Sequence, residues 1–214
     1  MGVKYGMDAV RMSLSIGNAP GQDFRLYEEK IEGYRNFANK LWNIGRYIST
    51  QAPANTPTLS DGDAWVLEQL RIVIEKVTGY IENYQLSLAG QALYDFLWHD
   101  VADWYIEYSK IQPNPTVLRY VWHTALRLLH PFMPFITEAL WVGMQESDLI
   151  LVAAWPTNVS PFTVDPQAVA RFIQLQKSVM ALRVFRGASG VSAQDVGEVV
   201  ASEQEVRSMT ILSR

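Results

Sequence analysis

Six polar residues between positions 36 and 47 recur at spacings of three and four, which would place them on one side of a helix. They are Asn36, Asn39, Lys40, Asn43, Arg46 and Tyr47. This side would present amide groups, two cations and one aromatic ring together. Three asparagines lower helix stability by roughly 2 kcal/mol relative to alanine. A face that was only solvated would more often carry Glu, Lys or Gln, so this face is predicted to bind a partner.

The same stretch carries a second stripe, which is apolar. Its members are Ile31, Tyr34, Ala38, Leu41, Gly45 and Ile48. They also step by three and four, as residues do when one face of a helix packs against other helices. We therefore predict one long helix with a buried face and a separate face available to a partner.

The composition excludes most kinds of catalytic site. The 214 residues include no cysteine and only three histidines, so we expect no disulfide, no thiolate nucleophile and no metal. There is no glycine-rich phosphate loop and no nucleophile beside a base. His130 precedes a proline and has no Ser, Cys or second His at a useful spacing, so it is interpreted as a structural histidine. We expect no cofactor in this chain.

Composition and charge also limit the possible partners. The chain has no run of eighteen apolar residues and no secretory signal, so we expect a cytoplasmic protein that does not enter a membrane. A net charge of -4 argues against a long phosphate-binding track, although residues 1–50 hold seven Lys and Arg against five Asp and Glu. This balance suits a module that recognises exposed bases by shape, stacking and hydrogen bonds.

Residues 3–16 are predicted to form a short amphipathic helix. Its inward-facing residues would be Met7, Val10 and Leu14. Asp8 and Arg11 lie three residues apart on this helix. They could form an intrahelical ion pair, or they could help to join the segment to another domain, and the sequence favours neither alternative.

Apolar periodicity predicts helices along most of the remaining chain. They run from a cap at Asp61 or Asp63 to about Asn83, from about Leu88 to Ile111, from Val117 to a kinked junction at Pro131 and Pro134, and onwards from a cap at Asp165. A short apolar run near residues 149–155 ends at a proline and is predicted to be extended. The expected fold is an all-α antiparallel bundle of four or five long helices, with this extended segment and a small irregular C-terminal portion.

Several separated motifs identify a family. Tyr5-Gly-Met-Asp-Ala-Val-Arg11, Gly17-Asn-Ala-Pro-Gly-Gln-Asp23 and Asn36-Phe-Ala-Asn-Lys-Leu-Trp-Asn43 occur in this order, and His130-Pro-Phe-Met-Pro-Phe135 follows later. Over about residues 3–187 the chain resembles the part of valyl-tRNA synthetases, which are class I aminoacyl-tRNA synthetases, that follows the catalytic core. The resemblance implies a helical anticodon-binding domain.

The resemblance also implies how the chain is organised. Residues 1–26 would connect to a catalytic domain of the same polypeptide, residues 27–187 would form the anticodon-binding domain, and residues 188–214 would begin a small C-terminal region. The implied partner is tRNA, bound at its anticodon stem-loop. The absent catalytic domain would use ATP to attach valine to tRNA(Val). We expect this chain to be a monomer without catalytic activity of its own.

A second group of site residues follows from the resemblance. The segment from Asp103 to Lys110 matches the part of the family that closes the anticodon site opposite the Asn-rich helix. It would bring Trp104, Tyr105, Glu107 and Lys110 near bases. However, Trp and Tyr at helical spacing more often belong to a core. Arg183 and Arg186 resemble paired arginines of the family and would contact either RNA or acidic groups on the bundle.

Other functions remain possible at this point. A complete synthetase is excluded, because the chain lacks the His-Ile-Gly-His and Lys-Met-Ser-Lys-Ser signatures that activate the amino acid. An isoleucyl- or leucyl-type anticodon-binding domain shares the architecture but fits the Asn-rich helix less well. A helical protein-interaction bundle would explain the apolar stripes, yet it leaves the asparagines and Lys40 unexplained.

Overall fold

The computed structural model describes residues 1–17, 26–52, 58–144, 148–157 and 160–189, with side chains as far as residue 184. All regular secondary structure in these ranges is helical, as predicted. The α-helices are α1 (Gly2–Tyr5), α2 (Met7–Ser15), α3 (Glu28–Ser49), α4 (Asp61–Glu82), α5 (Leu86–Asp95), α6 (Ile106–Ser109), α7 (Pro115–Leu129), α8 (Pro134–Gly143) and α9 (Pro166–Ser189). None of these helices is long and apolar enough to cross a membrane.

The N-terminal helix differs from the prediction in two ways. It is broken into α1 and α2 at Gly6, whose φ of 89° favours glycine. Met7 and Leu14 are exposed, whereas Ala9 and Met12 are buried. The prediction was therefore wrong for Met7 and Leu14, whereas Val10 is partly buried against Tyr5, Ala9 and Ile31. α2 packs on α3, α5 and α8.

Asp8 and Arg11 both contact the junction between α7 and α8. The Asp8 carboxylate accepts hydrogen bonds from the backbone N–H groups of Phe135 and Ile136, at 3.2 and 2.7 Å. The Arg11 guanidinium donates to the carbonyl oxygen of Pro131 at 3.0 Å. The two Asp8 bonds cap the start of α8, and the Arg11 bond fixes the turn before α8 to α2.

Most of the apolar stripe of α3 lies in the main core, and Ile31 packs with Tyr5 and Ala9 in a second, smaller cluster. Ile31, Leu41, Gly45 and Ile48 are buried as predicted, and Tyr34 and Ala38 are partly buried. A Cβ atom at position 45 would overlap the side chain of Leu140, so the glycine allows α8 to approach α3 closely. Phe37 and Ile44 are buried as well, which makes the buried face wider than the predicted stripe.

The start of α4 corrects another prediction. The N-cap is Ser60, and Asp63 completes a capping box with it. Asp61, one of the two predicted caps, instead forms an ion pair with Arg171 of α9 at 2.7 Å. The hydroxyl of a serine satisfies the free N–H groups of the first turn, which frees the Asp63 carboxylate for additional bonds.

The helix predicted from Leu88 to Ile111 is not a regular α-helix. Residues Phe96–Tyr105 form a π-helix, called the π segment below, between α5 and α6. A π-helix has wider turns than an α-helix, so the residues that share a face differ from those that an α period predicts. The sequence analysis did not predict this segment.

The remaining elements follow the prediction more closely. α7 and α8 meet at a turn near the two prolines, where His130 Nδ1 and Thr137 Oγ1 share a hydrogen bond of 2.8 Å. This partner confirms the structural role of the histidine. The segment predicted to be extended contains a 3-10 turn at Ile150–Val152, flanked by extended residues. Asp165 accepts from Gln167 N–H at 2.9 Å at the start of α9, and residues 190–214 lie outside the described part.

Candidate nucleic-acid interface

Four residues form an exposed polar row along α3. They are Asn36, Asn39, Asn43 and Arg46, and we call them the polar face of α3. Their side chains form no hydrogen bond or ion pair with the described residues, so three amides and one guanidinium face solvent with their full hydrogen-bonding capacity. The predicted exposure of these four residues is correct.

Trp42 belongs to the same surface, although the sequence analysis did not include it. Its side chain is 46% exposed, which is unusual for tryptophan in a protein with a large core. The indole lies three residues after Asn39 and four residues before Arg46, so it adjoins the polar face of α3. Its position outside the apolar stripe of α3 could have predicted this exposure. A flat exposed ring beside free amides can stack on a base.

Lys40 lies at the contact between α3 and the π segment. Its Nζ is 2.7 Å from Oδ1 of Asp103 and 3.9 Å from the centre of the Trp98 ring. His99 Nδ1 lies 3.4 Å from the other oxygen of Asp103. The lysine is partly buried and already has an anionic and an aromatic partner. It therefore holds the two helices together.

Tyr47 makes a similar contact with α6, the helix that follows the π segment. Its hydroxyl shares a hydrogen bond of 3.2 Å with Ser109 of α6. Lys40 and Tyr47 thus connect α3 to residues 63 and 62 positions away in sequence. The structure brings together the two stretches that the sequence analysis singled out, and it uses two of the predicted site residues to do so.

The second predicted stretch is only partly exposed. Trp104 is partly buried, and the guanidinium carbon of Arg183 lies 5.2 Å from its ring centre. Glu107 and Lys110 form an ion pair of 2.6 Å at the surface. The side chain of Arg186 lies outside the described residues.

Tyr105 belongs to the core. Its side chain is completely buried, and its hydroxyl donates to Oδ1 of Asp63 at 2.6 Å. Burial and the Asp63 carboxylate raise the pKa of this phenol well above its ordinary value. Burying the ring and satisfying its hydroxyl is strongly favourable. Tyr105 is therefore not available to a base in this structure.

The Asp63 carboxylate connects three helical elements. Besides Tyr105 of the π segment, it accepts Nδ2–H of Asn114 at 2.9 Å, and Asn114 is the N-cap of α7. It also accepts the backbone N–H of Ser60 at 3.0 Å and the Ser60 hydroxyl at 2.8 Å. This cluster fixes the end of the π segment relative to α4 and α7, and so positions the side of the interface opposite α3.

Asp100 lies on the other side of the π segment, toward α4. Burial raises its pKa to about 6, and the neighbouring Asp95 carboxylate adds to this effect, whereas His99 and Lys76 oppose it. The unfolded chain would titrate near ~3.9. Between these two pH values the folded state binds more protons than the unfolded state. The contribution of Asp100 to stability is therefore full at low pH and is lost as the pH rises to about 6.

Replacing Asp100 by asparagine should remove this pH dependence. We expect the variant to be more stable than the wild type by about 1 to 3 kcal/mol at pH 7, with the advantage disappearing near pH 4. Urea unfolding of both proteins at several pH values measures the difference, in which the contributions of other groups cancel. Parallel stability curves for the two proteins would contradict the assignment.

The described residues contain no group of three or more His, Asp or Glu side chains that could hold a metal ion. The candidate site therefore consists of amides, guanidinium and ammonium groups and aromatic rings. Such groups recognise ligands by hydrogen bonds, charge and stacking.

The sequence is similar to the sequences of known proteins. Residues 63–201 match the family model described as the anticodon-binding domain of tRNA ligase. Valine–tRNA ligase of Carboxydothermus hydrogenoformans is 37% identical over 222 residues, which cover 95% of this chain and 25% of that protein. Valine–tRNA ligase of Clostridium tetani is 42% identical over 173 residues, covering 72% of this chain and 19% of that protein.

The fold also resembles a solved structure. A LeuRS of Agrobacterium radiobacter K84, crystallised as a ternary complex with tRNA and LeuAMS, aligns with a TM-score of 0.59 and 22% sequence identity. The alignment covers 78% of this chain and 21% of that one. At this identity the likeness concerns the fold alone. The chain spans about a quarter of the length of the curated relatives it matches.

Proposed function

Because the chain belongs to the family of anticodon-binding domains of tRNA ligases, we propose that the polar face of α3 binds the anticodon loop of a tRNA. The observation that carries this proposal is a row of exposed amides without internal partners beside an exposed indole. The side chains of the polar face of α3 form no hydrogen bond or ion pair with the described residues. Binding an RNA loop would use all of them.

Each group has a defined role in the proposal. Asn39 and Asn43 donate to and accept from the edges of unstacked bases, as amide side chains can. Trp42 provides a surface on which one base stacks. Arg46 binds a phosphate or a base edge. Asn36 extends the row toward the start of the helix.

The predicted residues on the contact between helices have a different role. Lys40 and Tyr47 hold the π segment and α6 against α3, so they position the face and contribute a rim to it. Trp104, Glu107 and Lys110 form the opposite rim. Tyr105 is left out of the proposed interface, because its ring is buried.

The amino acid is inferred from the relatives. Relatives that are 37 to 42% identical are valine–tRNA ligases, so we infer that the polypeptide to which this domain belongs attaches valine to tRNA. Its catalytic domain would use ATP, and the anticodon-binding domain would select tRNA(Val). The proposal includes a monomeric protein in the cytoplasm.

The central prediction concerns two residues of the polar face. Asn43→Ala and Arg46→Ala should each weaken binding of a valine-anticodon stem-loop by about 1 to 3 kcal/mol, or roughly 5- to 150-fold, because base groups lose their partners. Fluorescence anisotropy with a labelled stem-loop at low salt measures the affinity, since phosphate contacts then raise the affinity of all variants alike.

A matched control removes a cation elsewhere. Arg71 is exposed on α4 and paired with Glu68 and Glu75 at 2.8 Å, so Arg71→Ala should leave binding unchanged. A stem-loop with a leucine anticodon should bind more weakly than the valine one. If both face variants bind like the wild type at equal folded fraction, the anticodon assignment is wrong and the protein-interaction interpretation is favoured.

A further inference from the structure

A cavity lies near the C-terminal end of α3. It has a volume of about 370 Å³ and lies between the C-terminal end of α3 and one face of α7. Ile48 lines it from α3 and Gln51 from the residues that follow this helix, and Tyr120, His123 and Arg127 line it from α7. This volume falls within the range of small-ligand sites, about 300 to 1,000 Å³.

Arg127 places a positive charge at the cavity. Arg127 is partly buried, and its guanidinium donates to the carbonyl oxygen of Ala154 at 3.2 Å and to the Thr124 hydroxyl at 3.4 Å. Both acceptors are neutral, and Arg127 forms no ion pair with a carboxylate of the described residues. Burial lowers the pKa of this guanidinium. A partly buried cation without a counter-ion favours an anionic ligand.

The walls of the cavity are mainly apolar and aromatic. The Tyr120 ring packs edge-on against Phe162, with ring centres 5.3 Å apart, and the His123 ring lies 4.6 Å from that of Trp141. Ile48 completes this side. A second guanidinium, that of Arg119, also lines the cavity, whereas no Asp or Glu is among the lining residues. A matching ligand therefore combines a flat, weakly polar ring with an anionic group.

We propose that this cavity binds a single nucleotide, with its phosphate held by Arg127 and Arg119 and its base against Tyr120 and Ile48. The nucleotide is either an unstacked residue of the bound RNA or a free nucleotide, and the first source rests on the function proposed above. Ile48 lies about 7.5 Å along α3 from Asn43, at 1.5 Å per residue. An RNA strand on the polar face of α3 passes within a few nucleotides of the cavity.

The first arm of the test uses 5′-AMP and adenosine as probes with the unaltered chain. In ¹H–¹⁵N spectra, 5′-AMP should shift the signals of Gln51 and His123 in a saturable way, and adenosine should bind at least roughly tenfold more weakly because it lacks the charged acceptor. Competition between 5′-AMP and the stem-loop identifies the site as part of the RNA interface. Simultaneous binding of both identifies a free-nucleotide site.

The second arm uses two variants. Arg127→Gln should weaken 5′-AMP binding by roughly tenfold, because it removes the charge-assisted bonds. Gln51→Glu places a carboxylate at the edge of the cavity without altering the core, and should weaken binding of 5′-AMP by repelling its phosphate. The control is Gln174→Glu, at an exposed position of α9, which should not weaken binding. No saturable shift with 5′-AMP, or unchanged binding in both cavity variants, would overturn the proposal. Failure of the cavity proposal would not decide the function proposed for the polar face of α3, because the effect of Asn43→Ala on stem-loop binding is measured separately.

Discussion

Replacing Asp63 by alanine is expected to destabilise the protein by about 3 to 5 kcal/mol, because it removes a buried charge acceptor and leaves its donors without a partner. Four donors converge on this carboxylate: the Tyr105 hydroxyl, the Asn114 amide, and the backbone N–H and hydroxyl of Ser60. Asp63 itself is only 1% exposed, so water cannot replace the lost bonds. Urea unfolding followed by circular dichroism measures the change.

Two controls separate the cluster from its surroundings. Ser60→Ala removes the N-cap hydroxyl, which is one of the four donors to Asp63, leaves the other three in place, and should cost about 1 kcal/mol. Asp61→Ala removes an exposed ion pair two residues away and should cost less than about 1 kcal/mol. If Asp63→Ala is no more destabilising than these two, the carboxylate does not connect α4, the π segment and α7 in the way described.

The parts of the fold that were predictable depend on local patterns. The two faces of α3 follow from residue spacing, because a helix of 22 residues keeps a nearly constant period along its length. The cap at Asp165 and the kink between α7 and α8 follow from proline and from short polar side chains, whose effects are local. The family resemblance placed these elements in the correct architecture.

The parts that were missed depend on distant partners. Asp8 is buried because it caps a helix that begins more than a hundred residues later. Asp63 is buried because Tyr105 and Asn114 reach it from other elements. A single sequence carries no local signal for such pairs. The hydrophobic period alone likewise does not distinguish the π segment from an α-helix.

The residues of the candidate site also divide into those whose exposure follows from a local pattern and those that depend on distant partners. Exposure of Asn36, Asn39 and Asn43 follows from their position opposite the apolar stripe. The burial of Tyr105 was one of two alternatives that the sequence left open, and the ion pair of Lys40 was not predicted, because both depend on the neighbouring helix. Polar and aromatic residues on a predicted binding face can therefore have either of two roles. One group contacts the ligand, and the other fixes the helices that present it.

The substitution Leu41→Ala separates the stability of α3 from its proposed binding role. Leu41 is fully buried in the core, although it lies between Lys40 and the exposed Trp42 in sequence. Truncation should leave a cavity and destabilise the fold by about 2 to 5 kcal/mol. At equal folded fraction, stem-loop affinity should match the wild type, because no group of the polar face of α3 has changed.

Asn43→Ala should behave in the opposite way. Alanine is the better helix former, so the variant should be slightly more stable, by about 0.5 kcal/mol, while binding the stem-loop more weakly. Urea unfolding and anisotropy on the same protein samples give both quantities. A Leu41→Ala protein that is fully folded yet binds poorly would show that core packing, and not the exposed amides, sets the affinity. The two variants should therefore change in opposite ways. Leu41→Ala loses stability because Leu41 is buried, and Asn43→Ala loses affinity because Asn43 is exposed on the polar face of α3.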